Sequence, residues 1–388
     1  MIKYHQGLRY AYMSNICFNT SNNKILYYYP SDNPNYRRIT EIIERKTEYY
    51  RFGVKFEEIS TPFPSNLHPV IHNKYVSISI TKSPRHIGHV AENLHAVMNI
   101  VTDPNFVQGP IEYILFPNLV DEVDFNRGVM EAVQQYGSYY NYSVIYGKNF
   151  SNIFNVNIEK DPLLCFDQVV ILDRNENISL GGIFTEIITS DYMRASVYHK
   201  FQFAYERHKK EKYNALVINR LGRRKFDNID EIEYILKNNF KSSLSYTISY
   251  FDEQSFEYQV KAVYDNDIIL ISHGQGEITL LFAKPYSVCI EGNTPYFYEK
   301  FGHILSTLFR LYMIHPNSQY SINTSNDKYQ KCLRDTLLST YGGECKQSTI
   351  LGNVYQTREY MKSSFQEAID YLNGIDFDHY LPDENYIF

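Results

Sequence analysis

Short apolar runs alternate with stripes of helical period along most of this chain. Tyr75 to Ile80 reads as a strand, and His89 to Val101 then sets Val90, Leu94, Val97 and Val101 on one face at helical spacing. Tyr113 to Phe116 predicts a strand, Val129 to Tyr136 a helix and Gln168 to Leu172 a strand. Ser190 to Lys212 reads as a long polar helix ending in Arg207-His208-Lys209-Lys210-Glu211-Lys212, where a domain linker is placed. Beyond it the alternation is cleaner. Strands are predicted at Ala215 to Asn219, Ser245 to Ser249, Ile268 to Ser272 and Ser287 to Glu291, with helices at Asp230 to Lys237, Glu253 to Tyr264, Thr279 to Ala283 and Tyr296 to Leu308. Helices around Lys328 to Tyr341 and Thr357 to Leu372 complete the chain.

Strands alternating with helices imply right-handed crossovers and a parallel sheet, with ligands in the crevice at the carboxyl ends of the strands. Arg220, His273, Gly274, Gly276 and Glu291 all fall at such ends. The run Ile268-Ile269-Leu270-Ile271-Ser272 leads into His273-Gly274-Gln275-Gly276-Glu277, a strand followed by a glycine turn and a helix start. Glycines let the backbone approach a ligand closely, and the amide groups opening a helix bind anions.

A length of 388 residues favours two domains, and 44% hydrophobic residues suffice for two cores. A net charge of −6, with no aromatic-and-basic repeat, disfavours nucleic acid as a partner. The apolar stretches are strand-sized, and the start of the chain, Met1 to Gln6, lacks the apolar core of a signal peptide. Read as the whole product, these features predict a cytoplasmic protein with no membrane segment. Cys17, Cys165, Cys289, Cys332 and Cys345 are odd in number and form no Cys-x-x-Cys pair, so reduced thiols and no zinc site are expected. Cys165 and Cys289 lie within apolar runs and read as buried packing. Sequons at Asn19, Asn141, Asn149, Asn177 and Asn323 carry little weight in a chain so rich in Asn and Ser.

Asn219-Arg220-Leu221-Gly222-Arg223-Arg224-Lys225 directly follows a strand. Arginines so placed can hold a diphosphate through bidentate, charge-assisted hydrogen bonds. An isolated basic turn is ordinarily just solvated, but this one shares its predicted sheet with His273 and the glycines. Taken in order, Ala215 to Arg224, Asn228-Ile-Asp-Glu231, Ser255-Phe-x-x-Gln259, Asp267 to Gly276 and Ser287 to Glu291 resemble the C-terminal half of glycosyltransferase family 61. Upstream, Leu164-Cys165-Phe166 resembles its Cys-Phe segment and His89-Val-Ala-Glu-Asn-Leu94 its histidine-rich helix, so the resemblance spans roughly residues 75 to 315. The family includes plant xylosyl- and arabinosyltransferases and animal protein O-linked N-acetylglucosaminyltransferases.

That resemblance implies an α/β fold of GT-B type, with two Rossmann-like parallel-sheet domains facing a cleft. The expected divisions are an acceptor domain over 1–204, a nucleotide-sugar domain over 205–325 and a helical tail over 326–388 returning to the first domain. It implies an inverting transferase that moves xylose or N-acetylglucosamine from a UDP-sugar to a hydroxyl of a glycan or glycoprotein, with no obligatory metal or cofactor. Arg220, Arg223 and Arg224 would hold the diphosphate with the backbone of Gly274, Gln275, Gly276 and Glu277, His273 would lie near sugar or phosphate, and Glu291 would accept a ribose hydroxyl. His89 and Glu92 are the catalytic-base candidates, with His86 and His95 more remote. Two departures stand out. Glu277 occupies a position where the family is usually apolar, and Asn93 one where it commonly has Asp.

Other readings stay open: a non-catalytic nucleotide-sugar or glycan binding module, and a metal-dependent GT-A transferase using Asp265-Asn266-Asp267. That triplet begins a strand, opposite the glycine loop, and reads as a turn. A Rossmann dehydrogenase would need a third glycine after Gly276. The sequence leaves homo-oligomerisation open.

Overall fold

The structure, a computed structural model, describes residues 2–5, 8–22, 24–28, 55–61, 63, 70–79, 84–103, 111–117, 119, 123–137, 141–146, 162–173, 186–292, 301–315 and 352–377. The chain divides into two compact units, Met1–Gln202 and Phe203–Phe388.

Among the described residues, the first unit is built on a nine-stranded mixed sheet. Its strands are β1 (Ile2–His5), β2 (Leu8–Met13), β3 (Ile16–Asn19), β4 (Lys24–Tyr28), β5 (Lys55–Ile59), β6 (Val70–Ile78), β7 (Ile111–Phe116), β8 (Ser143–Tyr146) and β9 (Leu163–Asp173). Helices α1 (Ile87–Val101) and α2 (Asp124–Gly137) connect the parallel strands β6, β7 and β8, and α3 (Ile187–Phe201) follows β9. Among the described residues, the expected parallel pairing therefore holds from β9 through β6 and β7 to β8, and again between β4 and β5. On the other side of β9, both β2 and β3 run antiparallel to it, β3 along Leu163–Phe166 and β2 along Val169–Asp173. The short polar turn Thr20-Ser21-Asn22 leaves no room for a crossover helix, so β3 and β4 form a hairpin.

β3 and β9 also set Cys17 directly opposite Cys165, and the two are joined by a disulfide. The expectation of reduced thiols fails for this pair: strand pairing brings together two cysteines 148 positions apart, which spacing along the chain does not reveal. Cys289 is free and buried, as expected, and burial pushes its thiol pKa up.

The predicted polar helix over Ser190 to Lys212 is shorter than its composition suggests. It stops at Phe201, with Gln202 in the left-handed conformation, and residues 203–212 carry no helix. Arg207, which opens the stretch where the domain linker is placed, is buried. It donates to Pro285 O at 2.7 Å and Ser287 Oγ at 3.0 Å, and approaches Asp267 Oδ1 at 3.4 Å.

Among the described residues, the second unit holds five parallel strands, β10 (Tyr213–Asn219), β11 (Leu244–Tyr250), β12 (Ile268–Ser272), β13 (Val288–Gly292) and β14 (Tyr312–Ile314), in the order β11-β10-β12-β13-β14. β12 and β13 are buried along their whole lengths, as expected for strands covered on both faces. Helices α4 (Ile229–Asn239), α5 (Phe256–Asp265) and α6 (Phe301–Phe309) and a 3-10 helix (Gln275–Phe282) make the connections. Ser255 caps α5 by accepting from Tyr258 N at 3.2 Å.

Helix α7 (Arg358–Gly374) corrects the expectation of a tail returning to the first domain. Its stripe Met361, Phe365, Ala368, Ile369 and Leu372 joins Ile232, Ile235 and Leu236 of α4 in the core over Val217, Leu270 and Ile290. The second sheet has an apolar face of its own to cover, and α7 covers part of it. The predicted helix around Lys328 to Tyr341 lies outside the described residues.

Candidate active site

In an open parallel sheet, ligands bind beyond the carboxyl ends of the strands where the strand order reverses. With the order β11-β10-β12-β13-β14, that point lies between β10 and β12. The arginine loop leaves β10 there, and the His273-Gly274 turn leaves β12.

Asn219 shapes the first loop. Its side-chain Oδ1 accepts from Arg220 N at 2.9 Å and Phe226 N at 2.8 Å, closing the chain on itself. The loop is then pinned from outside, with Arg224 N donating to Gly352 O, Val354 N to Lys225 O and Asp227 N to Val354 O. Arg224 holds φ 60°, a left-handed conformation that costs a non-glycine residue on the order of 1 kcal/mol. Its reward is position.

Gly274, with φ 150°, adopts a backbone that side chains rarely tolerate. A Cβ there would come within 2.6 Å of Arg220 Nη1 and 3.1 Å of Arg224 Nη1. Two guanidinium groups thus converge on one glycine at the switch point. Burial lowers the pKa of Arg220; Asp252 and Glu277 oppose that shift and Arg223 adds to it. Arg223 itself is exposed and stands outside the Gly274 contact, so the structure brings together two of the three sequence-predicted arginines there.

The 3-10 helix begins at Gln275, four residues before the helix expected at Thr279, and Glu277 N already donates to Gly274 O at 3.0 Å. The Glu277 amide is therefore committed to the turn, which leaves Gly274, Gln275 and Gly276 as the backbone groups able to meet an anion.

His273, Glu277 and Glu291 form a buried cluster beneath the loop. His273 Nδ1 lies 2.6 Å from Glu291 Oε1 and 3.4 Å from Glu277 Oε2, and His315 Nδ1 lies 2.9 Å from Glu291 Oε2. Burial, then the neighbouring Glu291 charge, push the Glu277 carboxyl up to about 8. Burial would also raise Glu291, but His273 and His315 outweigh it and hold that carboxyl below the usual carboxylate range. Glu291 has no exposed surface, so the expected reach to a ribose hydroxyl is replaced by an internal role, orienting His273. His315 carried no motif and was missed; only the pairing of β13 with β14 places it beside Glu291.

In the first unit, α1 carries the base candidates. His86 caps the helix, its Nδ1 accepting from His89 N at 3.2 Å. His89 Nδ1 lies 2.9 Å from Glu92 Oε2, an i, i+3 pair with Glu92 buried and the imidazole partly exposed. Asn93 spends its amide on His89 O at 2.7 Å. His95 is buried, with Nε2 3.0 Å from Ser190 Oγ and 3.1 Å from Glu186 O, a packing role rather than a reactive one.

The Asp265-Asn266-Asp267 triplet falls at the turn from α5 into β12, as expected. Asp267 is buried, bound by Lys210 Nζ at 2.8 Å and Asn214 N at 2.9 Å beside Arg207.

No curated protein matches this chain. Among solved structures it is similar to the flavodiiron protein from Giardia intestinalis, at 6% identity over 96% of this chain and 66% of that one. The TM-score of 0.24 means that this likeness carries no argument. Among the described residues, no helix is long and apolar enough to cross a membrane. The family model for glycosyltransferase 61 matches residues 21–290, which cover the His89 helix, the arginine loop, the glycine turn and the first three residues of β13. The chain belongs to glycosyltransferase family 61.

Proposed function

We propose that the protein is an inverting glycosyltransferase that uses a UDP-sugar, with xylose or N-acetylglucosamine as the transferred sugar and a glycan or glycoprotein hydroxyl as acceptor. The observation that supports this reading best is the convergence of Arg220 and Arg224 on Gly274 at the carboxyl ends of β10 and β12. Departure of a nucleoside diphosphate develops negative charge, and fixed guanidinium groups stabilise it without reorganising. Arg223 adds charge from the exposed side. The free amides at Gly274 to Gly276 meet the phosphate oxygens, while His273 and its carboxylates hold the turn rigid from below.

The acceptor hydroxyl must lose its proton as its oxygen attacks the anomeric carbon. With Glu92 on Nδ1, His89 keeps Nε2 as the basic atom, and the carboxylate stabilises the imidazolium that forms. One bond forms on the face opposite the departing diphosphate, so the configuration inverts. This reading requires both units to act on one sugar, as in a GT-B architecture. The commitment of Asp267 to Lys210 and Asn214 speaks against a metal-holding Asp-x-Asp in the GT-A manner.

The test is release of UDP from a panel of UDP-sugars by the full chain without added divalent metal, with donor binding followed by saturation-transfer NMR. Turnover of one donor supports the proposal. Saturable UDP-sugar binding without any turnover would instead support the binding-module reading, towards which the commitment of Asn93 to the helix backbone points.

A further inference from the structure

We propose that His273, Glu277 and Glu291, with His315 at the edge, form a binding site for one divalent first-row cation such as zinc, which locks the turn beneath Gly274 and does not touch the donor. One ligand atom from each of His273, Glu277 and Glu291 lies within 4.8 Å of the others, and all three residues are buried. The set combines imidazole nitrogen with carboxylate oxygen, the donor chemistry of zinc.

A second observation concerns Glu277. Its side chain is 0% exposed, and neither carboxylate oxygen makes a well-formed hydrogen bond; among the described residues, the polar groups facing it are His273 and Glu291 of the cluster itself. Its nearest imidazole nitrogen, His273 Nδ1 at 3.4 Å, is 2.6 Å from Glu291 and directs its single proton there. A buried carboxyl left so is costly, and nothing in the glycine turn requires a glutamate at this position. A dication between the carboxylates would neutralise both.

The distances suit this use. Tetrahedral bonds of about 2.0 to 2.1 Å place neighbouring donors on the order of 3.3 Å apart, close to the 3.4 Å between His273 Nδ1 and Glu277 Oε2. The 2.6 Å between His273 and Glu291 is a hydrogen-bond distance, and it would open by roughly 0.7 Å as the metal replaces the proton. His315 Nδ1 lies 2.9 Å from the other Glu291 oxygen, outside the three-residue set, and holds that carboxylate from its partly exposed side, so the fourth position falls to water. The competing arrangement is a proton shared between the two carboxyls.

Calorimetric titration of the chelator-treated full chain with ZnCl2 separates the two. The site predicts one zinc per chain with a Kd in the micromolar range or tighter, weakened at least 100-fold in Glu277→Gln. Cobalt(II) should give the visible bands of a tetrahedral site. Absence of saturable zinc binding below about 100 μM, or binding of unchanged affinity in folded Glu277→Gln, would overturn the proposal. If that variant does not fold, the cobalt spectrum of the unaltered chain decides, and a purely octahedral spectrum rejects the site. None of these readouts depends on donor binding or turnover, so this proposal and the transferase reading can fail separately.

Discussion

Replacing Arg220 by alanine separates donor binding from folding. The guanidinium reaches over Gly274, and among the described residues no carboxylate pairs with it within salt-bridge distance. Burial already disfavours its charge, and Arg223 adds repulsion. The folded protein therefore loses little when the side chain goes, within about 0.5 kcal/mol as for substitutions that break no packed or paired group. A bound diphosphate loses a charge-assisted hydrogen bond at a partly desolvated site, about 1.5 to 3 kcal/mol. At 1.4 kcal/mol per decade, the Kd for UDP rises roughly 10- to 150-fold. Calorimetry with UDP measures the first quantity and thermal unfolding without ligand the second. Arg220→Lys should fall between, because a single ammonium keeps the charge and loses the fork. Unchanged UDP affinity in a folded Arg220→Ala protein would remove this residue from the donor site, and a large fall in Tm without ligand would make it structural instead.

Gly274→Ala should weaken UDP binding as strongly, since the new methyl meets Arg220 at 2.6 Å and φ 150° strains it; the expected stability loss of about 1 to 3 kcal/mol is read by denaturant titration. His89→Ala should lower kcat by roughly 10² to 10⁴ while leaving the Kd for UDP nearly intact, with Glu92→Gln falling less, and near-normal turnover in both variants would place the base elsewhere. Cys17→Ser should cost about 2 to 5 kcal/mol of stability in the first unit, and a thiol reductant should reproduce that loss in the parent chain but not in the variant.

The second unit was the more legible in sequence because its signals are local. Ile268-Ile269-Leu270-Ile271-Ser272 is a buried strand by its unbroken apolar character, and the structure begins and ends β12 at those residues. Arg220 and Gly274 were both singled out, but only the strand order shows why they meet: β10 and β12 are neighbours even though β11 lies between them in sequence. The first unit hid more. Nothing in Ile16-Cys17-Phe18 says whether its partner strand is parallel or antiparallel, because that follows from where the chain returns at Leu163. Glu291 reads from the sequence as a strand-end acceptor of a ribose hydroxyl, since sequence position alone cannot show that β14 and His315 lie beside it. The 3-10 helix escaped notice for a different reason: Gly276 and Thr279 weaken an α-helical pattern without specifying the tighter one that replaces it.

The disulfide has a topological consequence. Its bond closes a covalent ring from Cys17 to Cys165, and β4 through β8, α1 and α2 all lie on that ring. His89 and Glu92 are carried on it too. A single protease cut anywhere in this stretch opens the ring and releases nothing, so the nicked chain keeps its mass on a non-reducing gel and separates into two pieces only when the bond is reduced. An enzyme preparation could thus be cleaved beside its own candidate base and still look whole.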